Sequence, residues 1–176
     1  MKILEFLELA PKTKAPLGSQ ILDSVHMSLG FASEMFGELP AALENNDVVN
    51  VAEELGDTEW YIAGYAQTWG LQLPNEVKFT PEEYMDLNYP QTIADLQDLD
   101  KKELAYGKVA SLEERGRLIN QLLVQVEGIA FLNDIDMNDV RAKIIAKLKS
   151  RYGDKFNSEG AINRDLTKER EILEGK

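Results

Sequence analysis

The chain has 176 residues, 31 acidic against 19 basic side chains and a net charge of −12, a balance that opposes binding to a nucleic-acid polymer through bulk electrostatics. It has no cysteine, which excludes disulfides and thiolate metal sites and suits a reducing cytoplasm. The length suits one domain over 1–176, and 44% hydrophobic residues with few alternating β-branched runs predict an all-α fold.

The opening MKILEFLELAPK carries Glu5 and Glu8 inside its apolar run and so fails as a signal peptide. No uncharged apolar run reaches the ~18 residues of a membrane helix. A cytoplasmic protein without a membrane partner is expected. A short helical turn is followed by an extended arm through Pro11, Pro16 and Gly18. A helix then begins near Ser19, a candidate N-cap, with Ile21, Val25, Leu29, Ala32, Phe36, Leu39 and Leu43 recurring every three or four residues as a core stripe. A second line, Met27, Phe31, Glu34, Glu38 and Ala41, runs along another side. Pro40 predicts a kink or an early end.

Asn45-Asn46-Asp47 is turn chemistry, with Asp47 placed to cap a second helix that carries Val48, Val51, Ala52, Leu55, Ile62 and Ala66 and ends near Gly70. So short a loop predicts an antiparallel helical hairpin over 19–70. Gly30 and Gly64 inside these helices predict close helix contact or approach of a ligand. Residues 71–91 read as a linker in which Thr80-Pro81-Glu82-Glu83 opens a short helix to about Leu87 and Pro90 closes the segment. The second half, 92–153, holds predicted helices over 92–105, 111–132 and 138–152, the last stopping near Gly153. Residues 154–176 read as a polar tail with a short helix from Asn163.

The hairpin places four carboxylates opposite one another. From a turn centre at residue 46, Glu38 lies eight residues before and Glu54 eight after, while Glu34 and Asp57 lie twelve and eleven away. At about 1.5 Å per residue the two tiers stand roughly 12 Å and 17 Å from the turn. Spacings of four and three keep each pair on one helix face. Carboxylates this close repel and are costly to bury unpaired, a cost that divalent cations remove. An all-oxygen set without histidine suits Mg²⁺, with Mn²⁺ as substitute. The bland alternative is a solvated acidic face shared with Glu44, Glu53 and Glu59.

HMSLGFASEMFGEL followed by EELGDTEWYIA resembles the MazG-like all-α nucleoside triphosphate pyrophosphohydrolases, relatives of the dimeric dUTPases, with Glu54-Leu55-Gly56-Asp57 matching their ExxD motif. AKLKSRYGDKF and AINRDL look like the ends of phage and bacterial members. The resemblance implies a MazG-like bundle that hydrolyses a nucleoside or deoxynucleoside triphosphate between the α and β phosphates with Mg²⁺. The metal would sit on Glu34, Glu38, Glu54 and Asp57, and Glu34 or Glu38 would take the proton of the attacking water. One departure stands out: the family's first glutamates are usually three apart, whereas Glu34 and Glu38 are four apart with Gly37 at the usual second position. Either the helix carries a local bulge or the coordination differs.

Lys143, Lys147 and Arg151 recur every four residues and could meet the β and γ phosphates, or form a solvated basic stripe near a helix end. Arg164 is a weaker candidate of the same kind. Trp60 and Tyr61 could stack on a base or serve the core, and the lone His26 reads as a packed residue or a substrate contact. A helix apolar on more than one side predicts a homodimer or higher homo-oligomer. The rival classes are a di-metal carboxylate bundle, which lacks the required histidines, and a catalytically silent bundle that binds a nucleotide or a partner protein as a regulator.

Overall fold

The N-terminal apolar run forms α1 (Ile3–Leu9) and continues into a 3₁₀ turn (Ala10–Thr13). These belong to a computed structural model that describes residues 1–77 and 88–176, and every regular element among those residues is helical. Ser19 Oγ accepts the Leu22 N–H at 3.3 Å and starts α2 (Gln20–Ser33). The helix continues through a wider segment, Glu34–Glu38, into α3 (Leu39–Glu44). Pro40 sits in the first turn of α3 and does not break the rod. Asn46 adopts the left-handed conformation the tight turn needs (φ 54°), and Asp47 Oδ1 caps α4 (Val48–Trp69) by accepting the Asn50 N–H at 3.1 Å.

Contacts between α2 and α4 pair early residues of one with late residues of the other, so the two run antiparallel. Gln20 Nε2 donates to the Thr68 carbonyl at 2.7 Å, and Trp69 Nε1 donates to Ser24 Oγ at 2.7 Å. Further along, the Tyr61 ring lies so close over Gly30 that an added Cβ would fall 2.0 Å from it, and Met27 Sδ would stand 2.3 Å from one at Gly64. The two glycines let the helices approach each other.

This approach decides which face of α2 is buried. The expected core stripe through Ile21, Val25, Leu29, Ala32, Phe36, Leu39 and Leu43 is corrected in part: Leu39 is buried and Ile21 and Ala32 pack against the core, but Leu29 is 59% and Phe36 48% exposed and Leu43 is exposed too. Met27, Phe31 and Met35 take the places of the exposed residues in the core. Both lines are apolar, so periodicity cannot choose between them. The face with Ser24, Ser28 and Gly30 is the one a neighbouring helix can reach closely.

Asn88 caps α5 (Tyr89–Tyr106), with Pro90 in its first turn rather than ending a segment. The helix expected to follow Thr80-Pro81 lies outside the described residues. Ser111 caps α6 (Leu112–Leu132), and Asp136 caps α7 (Met137–Tyr152). α5 packs on α2, α6 on α4 and α5, and α7 on the remaining side of α4. Leu55, Ile62, Ile93, Leu96, Ile119, Leu122, Val126 and Ile144 fill the space between them, each worth about 1.5–3 kcal/mol of burial. The C-terminal residues form α8 (Ser158–Ile162) and α9 (Leu166–Glu174), and α9 returns to pack on α7 and α4. No helix among the described residues is long and apolar enough to cross a membrane.

Candidate metal centre

Between Ser33 and Leu39 the helix opens into a π turn. The Leu39 N–H bonds to the Glu34 carbonyl five residues back, where an α-helix would reach only four. Pro40 follows at once and has no N–H to give the next carbonyl. The ladder therefore changes register where it must lose a bond anyway. The extra residue lies between Glu34 and Glu38 and keeps both on the side that faces α4.

Glu34, Glu38 and Glu54 each offer an oxygen, and all three oxygens lie within 4.8 Å of one another. Glu34 and Glu54 are buried, while Glu38 is exposed at the rim. Burial raises both inner carboxyls, Glu54 to about 9 and Glu34 to about 7. They hydrogen-bond to each other, which favours the proton on Glu54, and the charges of Asp57 and Glu38 push both further up. Without a cation the pair shares a proton.

Asp57 faces a different partner. Lys147 Nζ donates to its two oxygens at 2.8 and 2.6 Å and to Glu53 Oε1 at 3.0 Å. Burial alone would lower the Lys147 ammonium, but Asp57 and Glu53 outweigh it and raise it, so the lysine stays charged. Lys147 is thus enclosed by carboxylates at the back of the cluster. Lys143 lies outside the cleft, on the exposed side of α7, and pairs with Asp139 at 2.9 Å.

The carboxylates line a cleft of about 580 Å³ whose opposite wall is built by Arg151 and the returning C-terminal segment. Arg151 donates Nε and Nη2 to the two oxygens of Glu169 at 2.8 and 2.6 Å, and Arg164 Nη2 reaches Glu169 Oε2 at 2.8 Å. A smaller pocket of about 230 Å³ opens alongside and shares Asp57, Tyr61 and Arg151 with the cleft. Its walls include His26, Trp60, Tyr61 and Tyr152. Trp60 Nε1 donates to the Ala10 carbonyl at 2.8 Å and to Thr13 Oγ1 at 2.9 Å, which fixes its ring on the 3₁₀ turn. Tyr61 meets the edges of Trp60 and His26, at ring separations of 4.8 and 6.2 Å. Burial lowers the His26 pKa, so the imidazole is held neutral.

Three groups escaped the sequence reading. Glu53 and Glu59 belong to no solvated face: Glu53 holds Lys147, and buried Glu59 takes both Arg141 donors at 2.7 Å. Glu169 lies in the presumed polar tail and closes the cleft. The available signal was that cations on a packed helix require acids, which leaves open which acids they find.

No family model, curated protein or solved structure matches the chain. The site therefore rests on its own geometry. Three oxygen donors at this separation, with no nitrogen or sulfur ligand among them, fit a hard divalent cation such as Mg²⁺ or Mn²⁺.

Proposed function

We propose that the chain is a MazG-like pyrophosphohydrolase that converts a nucleoside or deoxynucleoside triphosphate to the monophosphate and pyrophosphate with Mg²⁺. The observation that carries this reading is the convergence of Glu34, Glu38 and Glu54 at the π turn, which reconciles the four-residue spacing with a common site. Divalent cations held there would neutralise the charge of the phosphates.

The chain's own residues do the rest. Glu34 and Glu54 would hold the cation, while Glu38 reaches into the cleft and takes the proton of a water that attacks the α phosphorus in line. The new P–O bond forms as the bridging α–β P–O bond breaks, and pyrophosphate leaves. Lys147 keeps Asp57 in place and limits the net negative charge behind the cluster. Arg151 faces the phosphate chain, and the pocket of His26, Trp60 and Tyr61 receives the base. The apolar groove between α2 and α5, where Leu29 and Leu104 are exposed, supports a homodimer or higher homo-oligomer.

The two-pronged hold of Lys147 on Asp57 favours a second reading, a silent bundle that binds a nucleotide or partner protein as a regulator. Pyrophosphate release with Mg²⁺ across a panel of NTPs and dNTPs separates the two. One substrate is expected to turn over, and Glu38→Gln and Glu54→Gln should each lower the rate by about 10²–10⁴-fold. No release from any nucleotide, or a rate indifferent to both substitutions, refutes the enzyme.

A further inference from the structure

We infer that Arg151 and Arg164 form a polyphosphate-binding site whose resting occupant is the chain's own Glu169 carboxylate. Glu169 and Leu173 are its buried residues, and Leu166 at its start is exposed. One buried leucine is little apolar anchorage for a helix of nine residues. Ile172 is half-buried, and the rest of the hold is ionic. Arg151 grips Glu169 through two parallel bonds, Arg164 adds bonds at 2.8 and 3.3 Å to Oε2, and Arg170 reaches Asp47 at 3.1 and 3.2 Å.

The guanidinium fork that fits a carboxylate fits a phosphate equally well. Both arginines and Glu169 line the cleft that holds Glu34, Glu38 and Glu54. A phosphate chain entering this cleft meets two forked cations already oriented by a buried anion, and it carries more charge and more acceptor oxygens than the glutamate. It displaces Glu169 and takes its bonds. Because Glu169 supplies the bonds that tie α9 to Arg151, the helix is loosened as the phosphates bind. Glu169 thus keeps the arginines aligned at rest and excludes monovalent anions that cannot outbid it. That the polyphosphate is a nucleotide's rests on the activity proposed above; the exchange at the arginines does not.

Isothermal titration with inorganic tripolyphosphate, without divalent cation, tests the exchange in the full-length chain. Glu169→Gln should bind it about tenfold more tightly than wild type, the worth of about one charge-assisted hydrogen bond. Adding Arg151→Gln to Glu169→Gln should abolish that gain. Hydrogen exchange on the unaltered protein is the second arm, and it decides if Glu169→Gln does not fold: tripolyphosphate should speed exchange of the α9 amides. Unchanged or weaker affinity in a folded Glu169→Gln, or α9 amides that slow or stay constant, overturns the inference. A chain that hydrolyses no nucleotide yet shows both effects loses the proposed activity and keeps the latch. A working hydrolase that shows neither loses the latch alone.

Discussion

The two ends of the α2–α4 pair each bury carboxylate charge, and they handle it in opposite ways. At the end near Ser24, Asp100 of α5 receives Ser24 Oγ at 2.8 Å, Tyr65 Oη at 3.2 Å and Arg115 Nη1 at 2.5 Å. Arg115 also donates to Tyr65 Oη and to Glu103, and its guanidinium lies 4.0 Å over the Trp69 ring. At the other end, Glu34 and Glu54 have each other and a nearby Glu38, with Lys147 already engaged by Asp57 and Glu53. One end is an ion pair that ties four helices together, although Asp100 Oδ2 and Arg115 Nε are left without hydrogen-bond partners among the described residues. The other is a carboxylate pair that lowers its charge by holding a proton, which a divalent cation would replace. Buried charge that has its counterion serves the fold, and the buried carboxylates that lack one among the described residues form the candidate site.

The largest expected effect breaks the ion-paired end. Arg115→Met leaves Asp100 buried without its cation and should cost about 3–5 kcal/mol in chemical denaturation. A loss below about 1 kcal/mol would place both ends in the same class. The next test uses pH on metal-free protein. Glu54 holds its proton up to about 9 when folded, against an ordinary value of 4.5 in the unfolded chain. Its contribution to stability is therefore complete below about pH 4.5 and is lost as pH rises through about 9, because the unfolded state binds fewer protons across that window. Glu34 acts in the same direction up to about 7. The thermal midpoint should fall from pH 5 to pH 9, and Mg²⁺ should restore it more at the higher pH. The opposite slope, or a constant midpoint, would mean the pair is not protonated. The smallest effect is the most discriminating. At about pH 4.5 and below, Glu54→Gln should alter metal-free stability by no more than about 0.5 kcal/mol, because the group is neutral in both states there; at pH 7 it should be more stable than wild type, and it should flatten the pH slope.

Much of this was legible in the chain because it is local. Ser19, Asp47 and Gly70 act on amides and carbonyls within a few residues, so the limits of the first two long helices follow from their types. The short turn at Asn45–Asp47 forces the helices back on each other, which brings Glu34 and Glu38 level with Glu54. The departure in spacing left either a local bulge or a different coordination open, and the π turn is the bulge. The face of α2 was misread because its two apolar lines, Leu29 with Phe36 and Phe31 with Met35, are equally hydrophobic. Lys147 was grouped with Lys143 and Arg151 on spacing alone, but they lie on a helix that is packed on one side and wet on the other, so each meets a different environment.

By itself the sequence determined that the chain is helical, where most helices begin and stop, and that acidic side chains crowd one region of a hairpin. Only the tertiary structure decided which acids have cations. Lys147 meets Asp57 across 90 residues of chain, Arg141 meets Glu59 across 82, and Arg151 meets Glu169 through a C-terminal segment that folds back over the cleft. Caps and turns depend on neighbours in sequence, whereas an ion pair depends on which helices pack side by side, and that is settled by the whole core at once.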